Sequence, residues 1–442
     1  MVAISRRGLL LGGAASLAAP LYVRRSYASD VDVVVIGAGA AGIAASRDLQ
    51  RRGLTVATIE ADGRIGGRVH TDYEIFGAPY DVGAHWLHFG EENPFLEYGQ
   101  NNGFDMYQAP DEEVFYVGNR LISEGESREL NEARNLALEA ISKAGRQGKD
   151  VAPADVVPDL GDWALTVNLY EGAYEIAKDF DHFSCADWYT AEDGTDWYCR
   201  QGFGALFAHS ARDVPVTLNT AASKIRWGDQ GVEVVTDNGT IRARAVVITV
   251  STGVLASGDI EFDPPLPVKK QEAINALTMG HYIHVALQLN ENFFGIGEDG
   301  FFAFKSTEAL NGAPMGFGAL VDAAGHGITY CDLGGEFARQ LSEEGSGGMY
   351  DYVLTELKKT FGANVEAAIL NSSTFDWTAN PLTYGSYASA EPGGAWSRAE
   401  LRKPEAARIW FAGEALSEND WATVAGAHKS GLAAAEEIYD TL

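Results

Sequence analysis

The chain has 442 residues, of which 46% are hydrophobic and 11% aromatic, so it is too long for one small core and predicts a well-packed protein of two or three domains. Acidic residues number 62 against 33 Lys and Arg, and the formal charge of −29 argues against a nucleic-acid partner, whose phosphates need clustered basic side chains. A negative surface favours a cationic small substrate, although the same charge also serves solubility alone.

The first 28 residues predict a twin-arginine export signal. Arg6 and Arg7 precede an apolar run over 9–23, which is shorter than the roughly 20 residues that a membrane helix needs. Small residues end the segment, so we expect cleavage after Ala28, export through the twin-arginine machinery to the periplasm or outside the cell, and no stable membrane span after processing. An uncleaved anchor behind a chance arginine pair stays open as the alternative.

Residues 31–60 predict a dinucleotide-binding βαβ unit. A buried parallel strand over 33–36 leads into a G-x-G-x-x-G turn, a helix over 43–52 and a second strand over 55–59. The turn glycines are Gly37, Gly39 and Gly42. They permit the tight turn, the approach of a pyrophosphate and close helix packing, while Glu60 stands where a carboxylate takes the ribose hydroxyls. The alternative is an ordinary βαβ unit without a ligand.

The next stretch, RIGGR, distinguishes between cofactors. Its residues are Arg64, Gly66, Gly67 and Arg68. Together with the upstream motif it resembles the second fingerprint of the glutathione-reductase-like flavoproteins, especially the flavin amine oxidase family. The resemblance implies FAD, with Arg68 neutralising the pyrophosphate and the glycines passing close to it. A solvated basic turn is the alternative.

The far end, RIWFAGEALSENDWATVAGAHKSGLAAA over 408–435, resembles the C-terminal flavin motif of the same family. The pattern predicts a strand over 409–411, a break at Gly413 and Glu414, and a helix of small residues from Gly426 onward, whose start the resemblance places at Thr423 and Val424. By resemblance, Glu414 lies near the ribityl chain. The helix start faces the flavin, where its positive end stabilises negative charge.

The middle of the chain completes the resemblance. Residues 224–250 predict strands with a hairpin at 237–239, and Ala222 falls where the family has a strand that lines the adenine. The implied fold class is α/β with two domains, a glutathione-reductase-like FAD-binding Rossmann domain interleaved with a substrate domain of mixed sheet plus helices. The expected segments are 30–90, 203–275 and 400–442 for FAD, and 91–202 and 276–399 for the substrate. Residues 342–348 (SEEGSGG) predict a surface loop.

The segment GAHWLHFG at 83–90 is similar to the stretch that passes along the flavin in the polyamine oxidase branch. Gly83, Ala84, His85 and Trp86 match that stretch, and His88 matches a histidine in the amine tunnel. His85 is expected to pack or bond locally in the turn. A structural role for His88 stays open, and no metal site is expected because two histidines need a further ligand.

Other substrate and catalytic candidates also rest on the resemblance. Acidic and aromatic residues in 181–206 suit a polycation, with a solvated acidic loop as the alternative. The substrate candidates are Asp187, Trp188, Glu192 and Thr423, and the flavin-side aromatics are Tyr387 and Trp377. Ser386 occupies the position where monoamine oxidases bond flavin through cysteine, which implies non-covalent FAD. His284 stands where the family has a lysine that holds a water at flavin N5, and histidine is expected to hold the same water.

Three cysteines occur, at 185, 199 and 331, and we expect buried free thiols, with a pairing of Cys185 and Cys199 as the alternative in an exported protein.

The implied reaction is hydride transfer from the carbon beside a neutral amine to flavin N5, imine hydrolysis to an aldehyde and an amine, and reoxidation by O2 to H2O2. Spermidine, spermine and putrescine are the favoured substrates. A monoamine oxidase, an L-amino-acid oxidase, a dehydrogenase with another acceptor and an exported flavin-bearing binding protein stay open.

Overall fold

A computed structural model describes residues 30–442 apart from 111, 193 and 291, so the expected export signal lies outside the described residues. The α-helices are α1 (Ala40–Arg51), α2 (Pro94–Asn101), α3 (Glu124–Arg146), α4 (Ala164–Asn168), α5 (Cys185–Trp188), α6 (Phe203–Ala211), α7 (Thr252–Ser257), α8 (Val268–Ala276), α9 (Gly335–Phe361), α10 (Asn364–Ala368), α11 (Ser397–Arg402) and α12 (Val424–Thr441). Within the described part of the chain, no helix combines the length and the apolar character that crossing a membrane requires.

The β-strands are β1 (Val31–Ile36), β2 (Val56–Ile59), β3 (Thr71–Asp72), β4 (Tyr80–Asp81), β5 (Met106–Gln108), β6 (Glu113–Val117), β7 (Arg120–Leu121), β8 (Trp197–Cys199), β9 (Ala222–Gly228), β10 (Gly231–Thr236), β11 (Gly239–Ile248), β12 (Glu261–Asp263), β13 (Leu277–Met279), β14 (Tyr282–Leu289), β15 (Phe301–Phe304), β16 (Ala309–Leu310), β17 (Ala313–Pro314), β18 (Gly318–Leu320), β19 (Ile328–Gly334), β20 (Ile369–Thr374), β21 (Ala388–Ala390) and β22 (Ile409–Phe411).

The first large sheet joins the two ends of the described chain. Its order is β12-β9-β10-β11-β1-β2, with β22 paired to β11, and β1 runs parallel to both of its neighbours. Helices α1 and α12 pack together closely at Gly431, where a Cβ would stand 2.1 Å from the Ala41 carbonyl oxygen. The absence of a side chain at Gly431 permits this contact. The glycine turn follows β1 and the C-terminal motif follows β22, and these strands flank β11 in parallel, so both predicted motifs lie at the same end of the sheet.

The second large sheet has the order β20-β14-β19-β18-β15-β6-β7 and is largely antiparallel. Its apolar face packs against α9 in a core that includes Val285, Leu333, Phe337 and Val353. A wide π-helical turn, Leu169–Tyr174, crosses beside this sheet. Such turns redirect side chains, and this one leads into Glu175 at the cavity described below.

The sequence prediction of a surface loop over 342–348 is wrong. This stretch lies within α9, which consists of two helical pieces meeting at Gly345, whose φ of 74° only glycine adopts readily. Leu341 and Met349 are buried on either side of the kink. Burial of these flanking side chains keeps the segment helical although it is rich in glycine and serine.

Other local predictions are confirmed. The turn at 237–238 joins β10 to β11 in an antiparallel hairpin. The three cysteines are buried and free. The predicted strands and helices at 31–59 and 409–441 form within a few residues of their expected bounds.

Candidate active site

One cavity of about 1610 Å³ collects most of the predicted site residues. Those that line it are Gly37, Gly39, Glu60, Arg64, Gly66, Gly67, Arg68, Gly83, Ala84, His85, Trp86, His88, Trp188, Glu192, Ala222, His284, Trp377, Tyr387, Gly413, Glu414, Thr423 and Val424. They come from stretches of sequence separated by up to several hundred residues. Folding thus creates a continuous space that runs from the glycine turn to the acidic and aromatic segment near residue 190.

The glycine turn forms a cradle at the start of α1. A Cβ at Gly42 would stand 1.9 Å from the Gly37 carbonyl oxygen, so this position tolerates no side chain. A Cβ at Gly39 would meet nothing closer than 3.8 Å and would instead enter the cavity. Glu60 accepts hydrogen bonds from the backbone N–H groups of Ala38 (2.7 Å) and Asp62 (2.9 Å), which fixes its carboxylate beside the turn. The cradle fits the pyrophosphate and ribose of FAD.

The two predicted flavin motifs are tied together by an ion pair. Arg68 donates to Glu414 (2.8 Å) and to the Ser386 carbonyl oxygen (2.6 Å). The second oxygen of Glu414 accepts from the Ala388 N–H at 3.3 Å. The charge of Arg68 is thereby directed toward Glu414, while Arg64 donates to the Gly67 carbonyl oxygen at 2.9 Å and braces the turn.

Helix α12 begins at the cavity wall, as predicted. Thr423 caps it by accepting from the Gly426 N–H at 2.9 Å and donates its own proton to the Asp420 carbonyl oxygen at 2.7 Å. The hydroxyl is thus occupied by the cap, so Thr423 offers a substrate mainly its surface, and the helix start offers positive dipole to the cavity.

The two histidines of GAHWLHFG differ in environment. His85 is 7% exposed, and burial followed by the nearby His284 charge lowers its pKa to about 3, so the ring is neutral. His88 bonds through Nδ1 to Asp196 at 2.9 Å and stacks on Trp86 with ring centroids 6.1 Å apart. Of these two histidines, only His88 therefore has a carboxylate partner in the cavity. No group of three or more potential metal ligands exists among the described residues.

His284 lies in the cavity wall, but the expectation that it holds a water needs correction. Its Nδ1 bonds to Asp332, and its Nε2 lies 3.2 Å from the Gly83 carbonyl oxygen. Both ring nitrogens already face protein acceptors. The ring therefore has no N–H left for a water, unlike the three protons of a lysine ammonium.

The predicted aromatics take distinct positions. Tyr387 donates its hydroxyl to the carbonyl oxygens of Tyr174 (3.3 Å) and Glu175 (3.2 Å), with its ring 6.1 Å from that of Tyr282. Trp377 is 4% exposed and donates to the Val82 carbonyl oxygen at 3.2 Å. Tyr387 is thus a wall of the cavity, whereas Trp377 packs mainly behind the 83–86 stretch.

The prediction that Asp187 contacts substrate is corrected by its burial. Asp187 is 3% exposed and does not line the cavity. Its two oxygens accept from Arg398 at 2.6 and 2.8 Å, and one of them also accepts from the Ala390 N–H at 2.8 Å. The Asp187 carboxylate is structural, while its neighbours Trp188 and Glu192 do line the cavity, and Glu192 also accepts from Asn419 at 2.6 Å.

Several cavity residues escaped the sequence analysis. They are Tyr174, Glu175, Tyr282 and Trp421, together with Asp332 behind His284. Asp196 of the predicted acidic segment does line the cavity, but nothing in the sequence indicates its pairing with His88. Tyr174, Glu175, Tyr282 and Asp332 carry no local motif, because their positions follow from the second sheet and the π-helical turn. Trp421 lies within the C-terminal motif over 408–435, but that motif gives it no role of its own.

Comparison with known proteins agrees with this site. The family model for flavin containing amine oxidoreductases matches residues 40–149 and 126–439. Polyamine oxidase 2 of Arabidopsis thaliana is 30% identical over 441 residues, covering 92% of this chain and 87% of that protein. Probable polyamine oxidase 4 of the same plant is 28% identical, covering 91% and 86%.

Solved structures show the same fold. A triple mutant of putrescine oxidase superposes with a TM-score of 0.75 at 21% identity, covering 93% of this chain and 99% of that one. The glycine cradle, the fixed Glu60 and the joined flavin motifs match what the family requires for its cofactor. The chain therefore belongs to the flavin containing amine oxidoreductases, most similar to their polyamine oxidase branch, and FAD is its cofactor.

Proposed function

We propose that the chain oxidises a polyamine or diamine, such as spermidine, spermine or putrescine, at the carbon beside a neutral amino group. The observation that carries the proposal is that the FAD cradle and an acidic, aromatic-walled space belong to one cavity. Glu171, Glu175, Glu192 and Asp196 supply its carboxylates. Relatives named polyamine oxidases, and a solved putrescine oxidase bound to putrescine, support this substrate class.

The arginines of the cavity argue against an amino acid as substrate. The cavity is lined by Arg64, Arg68 and Arg134 among the described residues. Arg64 bonds to backbone carbonyl oxygens, Arg68 to Glu414, and Arg134 to Glu171 at 2.6 Å. The charges of Arg68 and Arg134 are thus already balanced by carboxylates, and Arg64 is engaged with the backbone of its own turn, whereas a cationic amine meets carboxylates.

FAD, when bound in the cradle, accepts the two electrons and the hydrogen that leave the substrate carbon. The protein must hold that carbon in place and favour the uncharged amine. Asp196 at Nδ1 of His88 orients the ring and holds its Nδ1 proton, so a proton from the amine is taken at Nε2. Tyr387, fixed through its hydroxyl, keeps water from one side of the reacting amine.

The proposed products are an aldehyde and an amine, formed when water adds to the imine, and hydrogen peroxide, formed when O2 takes the two electrons and two protons. An oxygen electrode coupled to a peroxide assay separates this outcome from a dehydrogenase that uses another acceptor. A non-catalytic flavin carrier would give neither signal.

The decisive experiment is an anaerobic titration of the purified holoenzyme. We expect the flavin absorbance to bleach with spermidine, spermine or putrescine, and much less with butylamine, which has the same carbon chain as putrescine but one amino group. A flavin that stays oxidised with every amine would reject the proposal. For an amine that does bleach the flavin, mass spectrometry of the products would identify the cleaved C–N bond.

We further propose export by the twin-arginine route, motivated by Arg6 and Arg7 in the sequence. Replacing both with lysine is expected to retain the protein in the bacterial cytoplasm, as measured by fractionation and immunoblotting. Unchanged export of the double-lysine variant would contradict this proposal without affecting the enzymatic one.

A further inference from the structure

The pair formed by His284 and Asp332 is set by strand register. In the antiparallel ladder of β14 and β19, His284 stands directly opposite Asp332, so both side chains point to the same face of the sheet. Their exposed fractions are 4% and 0%. The other oxygen of Asp332 lies 3.4 Å from the Tyr174 hydroxyl. The pair is therefore a buried unit in the wall of the proposed active site.

The contacts of His284 determine its charge. A carboxylate and a backbone carbonyl can only accept hydrogen bonds, and they face Nδ1 and Nε2 respectively. Both ring nitrogens must then carry hydrogen. Burial alone would lower the pKa of His284, but the charge and hydrogen bond of Asp332 outweigh it and the pKa is raised. The ring is an imidazolium held by a carboxylate.

Two neighbouring histidines show that this charge is specific to His284. His85, with its ring centroid 5.2 Å away, is neutral because burial and the His284 charge lower its pKa to about 3. His281, at the start of the same segment, bonds to Thr378 at 3.0 Å, and burial lowers its pKa to about 4. Neither has a carboxylate partner of its own.

A cation in this wall has a direct electrostatic consequence. His284 and the 83–86 stretch line the same part of the cavity, and His284 is bonded to Gly83 itself. Accepting two electrons adds negative charge to FAD, which a nearby preorganised cation stabilises without any rearrangement. The same cation disfavours a protonated amino group beside it, in agreement with oxidation of the neutral amine.

We propose that the His284–Asp332 pair favours reduced FAD because its positive end faces the cavity, which His284 lines and Asp332 does not, and that it acts through its field rather than through a bound water. Asp332 is the positioning residue, because it keeps the imidazole charged and oriented. This inference rests on the proposed function only in requiring FAD in the cavity, and it is independent of which amine is oxidised.

The test is the two-electron midpoint potential of FAD in the holoenzyme, measured by dye equilibration without any amine. We expect H284Q and D332N to lower the ratio of reduced to oxidised FAD at a fixed solution potential by about tenfold, which is about 30 mV for a two-electron couple. H284K keeps a cation and is expected to stay near the wild-type value. H281Q, which replaces a neutral, half-buried histidine of the same segment, is the matched control and is expected to change nothing.

Each outcome decides the question. An unchanged potential in FAD-loaded H284Q, or an equal fall in H284Q and H284K, would overturn the proposal. A third result would also overturn it: H284Q and D332N lose most of their FAD while H284K retains it, and the FAD that remains in H284Q and D332N keeps the wild-type potential. The pair would then only support the cradle. A wild-type chain that takes up no FAD would instead refute the proposed function.

Discussion

The buried ion pair of Asp187 and Arg398 allows a quantitative test of how the cavity is held together. Replacing Asp187 with asparagine removes the charge that faces Arg398, which is itself only 6% exposed on its side chain. An unpaired charge at such a site costs about 3–5 kcal/mol of stability. A chain of this length that unfolds as one unit has an unfolding entropy of about 0.9 kcal/mol/K, so we expect Tm to fall by about 3–5 °C.

The pair also explains why this loss should affect the site. Arg398 donates to the Ala415 carbonyl oxygen at 2.6 Å, next to Glu414, and its guanidinium lies 4.5 Å from the ring of Trp421. Asp187 bonds to the N–H of Ala390 on β21, which follows Tyr387. The ion pair thus joins the substrate-side helix α5 to the segments that carry the flavin-side residues.

Thermal unfolding followed by circular dichroism, together with release of flavin fluorescence, measures the effect. The double variant D187L/R398M is expected to recover most of the loss, because it leaves no unpaired charge. E192Q, in the same segment but exposed, is expected to stay within about 0.5 kcal/mol of wild type. If D187N kept its Tm and instead raised KM for the amine, Asp187 would be a substrate contact and the structural assignment would be wrong.

Three further predictions concern the cofactor and the acidic cavity. Gly42→Val is expected to abolish FAD binding, because its Cβ would stand 1.9 Å from the Gly37 carbonyl oxygen. The ratio of flavin to protein absorbance measures this loss, and the control Gly228→Ala, whose Cβ would meet no atom within 4 Å, should bind FAD normally. Acid precipitation is expected to release all the FAD into the supernatant, since Ser386 and the other described cavity residues include no cysteine; colour that stays with the pellet would show a covalent bond. Glu175 is exposed to the cavity rather than packed in the core, and the desolvation of this enclosed position, together with the nearby Glu171, raises its pKa from 4.5 to about 7. Its ionised form is therefore disfavoured in the folded protein, and its destabilising effect grows as pH rises from 4.5 through 7. Glu175→Gln should therefore raise Tm more at pH 8 than at pH 5, and an equal change at both pH values would contradict this account.

Much of the FAD cradle could be predicted from sequence because its parts are local. The strand, glycine turn, helix and terminal acid of 31–60 lie within one βαβ unit, and each glycine has a backbone reason to be there. The same holds for the Thr423 cap of α12 and for the hairpin at 237–238. In each of these cases the residues that set the backbone conformation and the residues that they contact lie within one short stretch of the chain.

The charge pairs could not be predicted in this way. Arg68 meets Glu414 across 346 positions, Asp187 meets Arg398 across 211, and His284 meets Asp332 across 48. With 62 acidic residues in the chain, nothing local indicates which carboxylate faces a given cation. For this reason the sequence places Asp187 at the substrate and gives no sign of the role of Asp332.

The sequence by itself determined the cofactor cradle, the family and the acidic character of the molecule, since these follow from contiguous backbone patterns and from composition. The tertiary structure alone decided which acids lie buried as partners of cations and which face the cavity. That division depends on strand register and on how the two sheets pack, because the desolvation of a charge is a property of all the elements that surround it.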